Sequence, residues 1–153
     1  MIRLFLCKMK ITTNRKAYFE FQILEEFDAG IVLEGSEVKS IRKGDVTIAD
    51  AFIYIKSGEV WVKNLVVARY KQIHTLLKHV ENRDKKLLLN RKEIQKIEKA
   101  LQDKGTTIIP LEIFTSTNKI KVKIGVAKGK KLYDKRQSIK DKDLKRELQR
   151  NLK

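Results

Sequence analysis

The segment Lys119-Ile-Lys-Val-Lys-Ile-Gly-Val-Ala-Lys-Gly-Lys-Lys-Leu-Tyr-Asp-Lys-Arg136 decides how the chain is read. Its first half alternates: Ile120, Val122, Ile124 and Val126 fall on one side of an extended chain, Lys121, Lys123 and Gly125 on the other. Side chains of a strand point to opposite faces in turn, so residues 119–127 make a half-buried strand with a basic outer face. The second half runs straight into Lys128-Gly129-Lys130-Lys131. Lysines supply charge for phosphates, and glycine lets a backbone come close to them. Tyr133 adds a flat ring that can stack on a base, and Arg136 adds a forked donor.

Outward from this strand the body reads mainly as β. Residues 106–116 form another strand run, and 51–56 and 59–65 a hairpin around Ser57-Gly58. Residues 17–27 (AYFEFQILEEF) alternate and predict a strand. Gly30 suggests a bulge or bend there, after which Ile31-Val32-Leu33 resumes the strand. Trp61 is read as core or barrel surface rather than a base-stacking platform. A short helix is predicted over 37–42 and a longer one over 90–104, where Asn90 and Glu93 fit an N-terminal capping pattern and Gly105 a stop. Residues 69–86 show no clear period. About six strands without strand–helix–strand alternation argue against a doubly wound fold. They favour a mainly β protein, a small oligonucleotide-binding-type β-barrel with peripheral helices.

Charge divides the chain unevenly. Of 153 residues, 35 are Lys or Arg and 19 Asp or Glu, a net +16. Residues 1–127 hold 24 basic and 15 acidic side chains, net +9; residues 128–153 hold 11 and 4, net +7. Such an excess points to a polyanion as partner. Residues 128–153 are thin in apolar side chains, which predicts a basic C-terminal tail that is disordered when free. Latent helix signals remain: Ser138 with Asp141 as a capping pattern, the Asp141–Lys145 pair and the Leu144, Leu148, Leu152 stripe.

Other classes are excluded by composition. One Cys, one Pro and seven Gly, with no long apolar run, rule out collagen, a disulfide scaffold and a membrane-spanning chain. Cys7 has no partner for an internal disulfide, and Leu4–Cys7 is too short for a secretory core, so a cytoplasmic protein is expected. No catalytic or metal constellation stands out. His74 and His79 lack accompanying cysteines or an HExxH pattern, and GxxxxGK[ST] is absent. The expectation is a protein that is not an enzyme and needs neither metal nor cofactor.

Four segments carry a closer likeness: TNRKAYFEF (13–21), EEFDAGIVLEGSEVKSIRKG (25–44), RDKKLLLNRKEI (83–94) and KVKIGVAKGKKLYDKR (121–136). Their content and order resemble the SmpB family of SsrA-binding proteins. The resemblance implies a β-barrel body over residues 10–127 that grips the tRNA-like domain of transfer-messenger RNA (tmRNA). It also implies a tail over 128–153 that enters the vacant messenger channel of a stalled ribosome and folds there near the decoding centre. Delivery as an alanyl-tmRNA complex with elongation factor Tu is implied too, with no membrane and with the protein as a monomer. Ribosomes are thereby rescued and incomplete peptides tagged for degradation. The implied RNA grip uses Leu88, Asn90, Lys121 and the acidic position Asp28, where the family commonly has the longer Glu. Asn14, Arg15, Lys16, Lys123 and Lys128 are expected to add RNA contacts. Tail function is assigned to Gly129, Lys130, Lys131, Tyr133, Asp134, Lys135 and Arg136. Family members usually open near MKITTNRKA, so residues 1–9 read as an N-terminal extension with Met9 as the candidate native start.

Overall fold

A computed structural model describes residues 8–70 and 80–151. Its longest unit is the hairpin of β8 (Thr106–Ser116) and β9 (Lys119–Gly129). Thr117 and Asn118 turn it with φ of 50° and 62°, the left-handed pair that a two-residue hairpin turn requires. Ser57 and Gly58, at 52° and 72°, do the same between β4 (Phe52–Lys56) and β5 (Glu59–Lys63).

With β1 (Met9–Thr13), β2 (Phe21–Ile31) and β7 (Lys85–Leu88) these strands form one antiparallel sheet in the order β1-β8-β9-β2-β7-β5-β4. Two short strands, β3 (Val46–Thr47) and β6 (Val66–Val67), pair separately. The fold is mainly β with peripheral helices, as expected. The sheet is not closed: β1 and β4 are its two ends and do not pair with each other, although it curls enough to bring β4 near β8.

The core lies on one face. Phe27, Ala29, Val60, Val62, Leu87, Val122 and Ile124 are buried there, covered by Ile41 of α2 (Gly35–Lys43) and Ile97 of α3 (Arg91–Leu101). A smaller cluster of Ala17, Ile109, Leu111 and Ala127 lies on the opposite face beneath α1 (Arg15–Glu20). Gly125 makes room for it. A Cβ there would sit 2.8 Å from Leu111 Cδ1 and 3.3 Å from Ile23 Cγ2.

Several expectations need correction. Residues 17–20 are helical, not extended. The Asn14 side chain accepts the Ala17 N–H at 3.0 Å, and this cap overrides the strand preference of Tyr18 and Phe19. Gly30 lies inside β2 without a bulge; the register shift falls between Ile23 and Glu25, and β2 ends at Ile31. Leu24, at that shift, is left exposed. Residues 85–88 form a strand that the sequence did not reveal, and α3 ends at Leu101, three residues short of the predicted Lys104.

The segment expected to be disordered when free contains α4 (Leu132–Asn151), a helix with no buried residue. Local bonds support it: the Ser138 hydroxyl donates to the Asp134 carbonyl at 2.9 Å, and the Gln137 amide to the Asp141 carboxylate at 3.2 Å. Ser138 thus sits inside the helix and bonds back one turn instead of capping a new one. β9 continues to Gly129, so strand gives way to tail two residues beyond the expected boundary. Cys7, His74, His79, Leu152 and most of the expected N-terminal extension lie outside the described residues.

Candidate nucleic-acid interface

Leu88, Lys121, Lys123 and Asp28 gather on the sheet face turned away from the main core. Strand register places Leu88 of β7, Gly30 of β2 and Lys121 of β9 in one row. Gly30 has no side chain, and Leu88 leans over it; an added Cβ would meet Leu88 Cβ at 3.3 Å. Leu88 is 52% exposed, although a leucine within a leucine run is ordinarily core. Lys121, beside it, enters no ion pair among the described residues. Asn90 follows Leu88 by two residues. It is exposed at the N-terminus of α3, where its N–H donates to the Glu93 carboxylate at 2.9 Å and closes the predicted capping box. An exposed apolar side chain and an ammonium without an ion pair therefore stand in one row of a rigid sheet, with the exposed Asn90 two residues beyond Leu88.

The next row is different in kind. Asp28, Lys123 and Glu112 stand opposite one another on β2, β9 and β8. Lys8 bonds Asp28 at 2.7 Å and Lys10 bonds Glu112 at 3.0 Å. Lys123 lies 3.4 Å from Glu26 and 4.0 Å from Glu112. The Tyr18 hydroxyl joins Glu112 from α1, and its pKa is pushed up to about 12, by burial first and then by the charges of Glu112 and Glu26. Lys123 is therefore neutralised locally, and Asp28 is already engaged by a cation. Lys8, Lys10, Tyr18 and Glu112 were not foreseen. A lone acid within the apolar run IIPLEIF was the available signal, because a buried carboxylate demands partners.

Asn14 departs furthest from expectation. It is 4% exposed, and its amide nitrogen donates to the Pro110 carbonyl at 3.0 Å while its oxygen caps α1. Both ends of the side chain are committed inside the protein, so Asn14 is a strut and not a surface contact. Arg15 is exposed at the start of α1, and Lys16 lies 3.4 Å from Asp50.

The tail residues form a second group at the other end of β9. From Lys121 to Gly129 the strand covers roughly 25 Å. Lys128 is exposed, and Gly129 ends the strand with open space around it. Lys130 is an anchor: its N–H donates to the Glu20 carbonyl at 2.9 Å, and its ammonium to the Tyr18 carbonyl at 3.3 Å and to Ser138 Oγ at 3.4 Å. Lys131, just before α4, and Tyr133 (76% exposed), Asp134 and Arg136 on its first turns stand in solvent, with Lys135 half-buried among them.

A buried ion cluster lies between α2 and β7. Lys85 and Glu37, 0% and 1% exposed, lie 3.5 Å apart, and Arg83 bonds Glu37 at 2.8 Å. Lys85 also donates to the carbonyls of Leu65 and Arg83. Burial works to raise the Glu37 pKa. The Glu34 N–H, Arg83 and the Lys85 charge outweigh it and hold the carboxyl below its ordinary range. The cluster fixes α2 against β7, three residues before Leu88.

The family model described as SmpB protein matches residues 11–153. The chain belongs to the SmpB family. Among curated relatives, the SsrA-binding protein of Aquifex aeolicus is 49% identical over 144 residues, covering 94% of this chain and 91% of that protein. The SsrA-binding protein of Acholeplasma laidlawii is 50% identical over 143 residues, covering 94% and 95%. A solved structure described as "tmRNA-SmpB: a journey to the center of the bacterial ribosome" superposes with a TM-score of 0.65 at 36% identity, over 79% of this chain and 85% of that one. The SmpB match takes in both groups of residues described above, the row of Leu88 and Lys121 and the basic helix beyond Gly129.

Proposed function

We propose that this SmpB-family protein is a non-catalytic RNA-binding adaptor for trans-translation. It binds the tRNA-like domain of tmRNA through the outer sheet face and brings it to stalled ribosomes. The helical tail then probes the empty messenger channel near the decoding centre, and the incomplete peptide is tagged for degradation. The observation that carries this reading is the row of Leu88 and Lys121 over Gly30, roughly 25 Å along β9 from an exposed, basic helix. An exposed leucine beside an unpaired lysine suits the sugar and phosphate of folded RNA, where shape decides more than sequence.

The curled sheet serves as an oligonucleotide-binding-type barrel in this account. Residues 10–127 are the RNA-binding body and 128–153 the ribosome-directed tail. The protein works as a cytoplasmic monomer, within an alanyl-tmRNA complex that includes elongation factor Tu.

Ending the chain after Lys131 tests the division, because it keeps β9 and the Lys130 bonds to α1. Binding to the tRNA-like domain should persist while tagging on stalled ribosomes is lost. Loss of both would show that grip and probe are not separate, and retained tagging would show that the tail is not the probe.

A further inference from the structure

The outer face of the β4–β5 hairpin holds a second surface that the grip and tail leave unused. β4 and β5 bury Ile53, Val60 and Val62 toward the core. The intervening residues face outward, and they are aromatic and basic. In register, Phe52 stands opposite Lys63, Tyr54 opposite Trp61, and Lys56 opposite Glu59. Phe52 is 44% exposed, Tyr54 and Trp61 are half-buried, and the Phe52 and Tyr54 rings are 6.5 Å apart.

Three aromatic rings on one side of a sheet-edge hairpin need a reason, because the core of this hairpin is complete without them. Aggregation through β4, an edge strand of the sheet, would be their cost.

The charges around the rings favour one kind of partner. The two acids nearby are already engaged: Glu59 pairs with Lys86, and Asp84 accepts the Tyr54 hydroxyl at 3.0 Å. The two flanking lysines, Lys56 and Lys63, are exposed and enter no ion pair among the described residues. These two exposed ammonium groups, against the one Asp84 carboxylate, leave this surface net positive. Flat rings with free ammonium groups beside them match a strand of unpaired RNA, whose bases stack on aromatic faces of any sequence while its phosphates meet the lysines. A protein partner would gain from the rings but would leave the lysines unanswered unless it brought acids of its own. The surface also continues into the grip, since Trp61 stands opposite Lys86 and Leu88 lies two residues further along β7.

We propose that the outer face of the β4–β5 hairpin binds an unpaired RNA strand, stacking bases on Phe52, Tyr54 and Trp61 with Lys56 and Lys63 on the flanking phosphates. The proposal extends the RNA-binding reading to a second surface and to unpaired rather than folded RNA.

Trp61 is the single tryptophan, so its emission reports on this surface alone. The full chain is titrated at one fixed salt concentration with a mixed-sequence single-stranded RNA about 10 nucleotides long, and with the same strand in duplex. The single strand should quench Trp61 saturably and the duplex far less. Phe52→Ala, checked for folding by circular dichroism, should weaken single-strand binding about tenfold. Lys63→Glu should weaken it severalfold and does not depend on packing. Lys121→Ala should reduce binding of the tRNA-like domain and leave the single-strand quench intact, which separates this proposal from the grip. Single-strand binding that leaves Trp61 emission unchanged, or that neither Phe52→Ala nor Lys63→Glu weakens, would overturn the proposal and leave the rings to a protein partner.

Discussion

Asn14 provides the sharpest test of what is scaffold and what is interface. It lies beside Arg15 and Lys16 in a basic terminal stretch, which invites a role in RNA binding. In the structure its oxygen accepts the Ala17 N–H at 3.0 Å and its nitrogen donates to the Pro110 carbonyl at 3.0 Å, at 4% exposure. Asn14→Ala removes both bonds. Loss of a helix cap costs about 1 kcal/mol. Leaving the Pro110 carbonyl buried without its donor adds roughly 1–3 kcal/mol. The expected loss is therefore about 2–4 kcal/mol, a fall in Tm of roughly 5–15 °C for a chain of this size.

Urea unfolding should show a lower midpoint at unchanged slope. Affinity for the tRNA-like RNA, measured where both variants are folded, should not change. Asn14→Ser keeps a cap acceptor but cannot reach Pro110 as a donor, so it should recover about 1 kcal/mol of the loss. If Asn14→Ala unfolds at the parental midpoint but binds RNA weakly, the assignment as a strut is wrong.

Leu88→Ala should behave in the opposite way: a stability change below about 1 kcal/mol, because the side chain is already half in water, with a severalfold loss of RNA affinity in a gel-shift titration. Gly125→Ala places a Cβ 2.8 Å from Leu111 Cδ1 and should cost about 1–3 kcal/mol in urea unfolding. The Glu37 carboxyl titrates below its ordinary 4.5 in the folded protein. Its contribution is full above that value and is lost as pH falls through the folded pKa. The urea midpoint should drop on acidification below about pH 4.5, and Glu37→Gln should flatten that part of the profile. Ending the chain after Lys131 should also reduce the slope of log affinity against log salt for ribosome binding, while the slope for the tRNA-like RNA stays nearly unchanged.

The sequence reveals an element when its surroundings impose a pattern on it. β9 is legible because one face is core and the other is not, which writes a period of two into residues 119–127. β8 is legible as a continuous apolar run because it is buried on both faces, by the main core and by the cluster beneath α1. β7 is not: KKLL carries a fully buried lysine whose partner, Glu37, is on a distant helix, and no local pattern announces such a pair. α1 is misread because two aromatic residues outweigh a single capping asparagine in any local count.

The candidate site divides along the same line. Lys121 and Lys123 look equivalent in the sequence, one strand period apart. Whether each is free depends on Glu26 and Glu112, which only the folded sheet brings to Lys123. In the sequence, only the family resemblance marks Leu88 and Asn90; the structure adds why they are available, one leaning over a glycine and the other opening a helix in solvent.

The net charge of +16 takes a different meaning once the ion pairs are placed. Several of the body's carboxylates pair with its own cations: Asp28 with Lys8, Glu112 with Lys10 and Lys123, Asp50 with Lys16, Glu59 with Lys86, and Glu37 with Arg83 and Lys85. Beyond Gly129 the described residues show one ion pair, Arg146 with Asp143 at 3.9 Å. The sheet face around Asp28 and Glu112 is thereby neutralised, while Lys121, one row away, enters no ion pair among the described residues and is held in place by the sheet. The tail keeps nearly all of its cations on a helix with no buried side chain. A fixed cation beside a neutralised row can discriminate among folded RNAs by shape, because a phosphate misplaced along that face finds no lysine to meet it. Dense, exposed charge on a locally supported helix attracts any phosphate-lined cavity and gains specificity from the cavity's fit. On the proposed reading, the same excess of lysine serves recognition on the sheet face and entry through the tail.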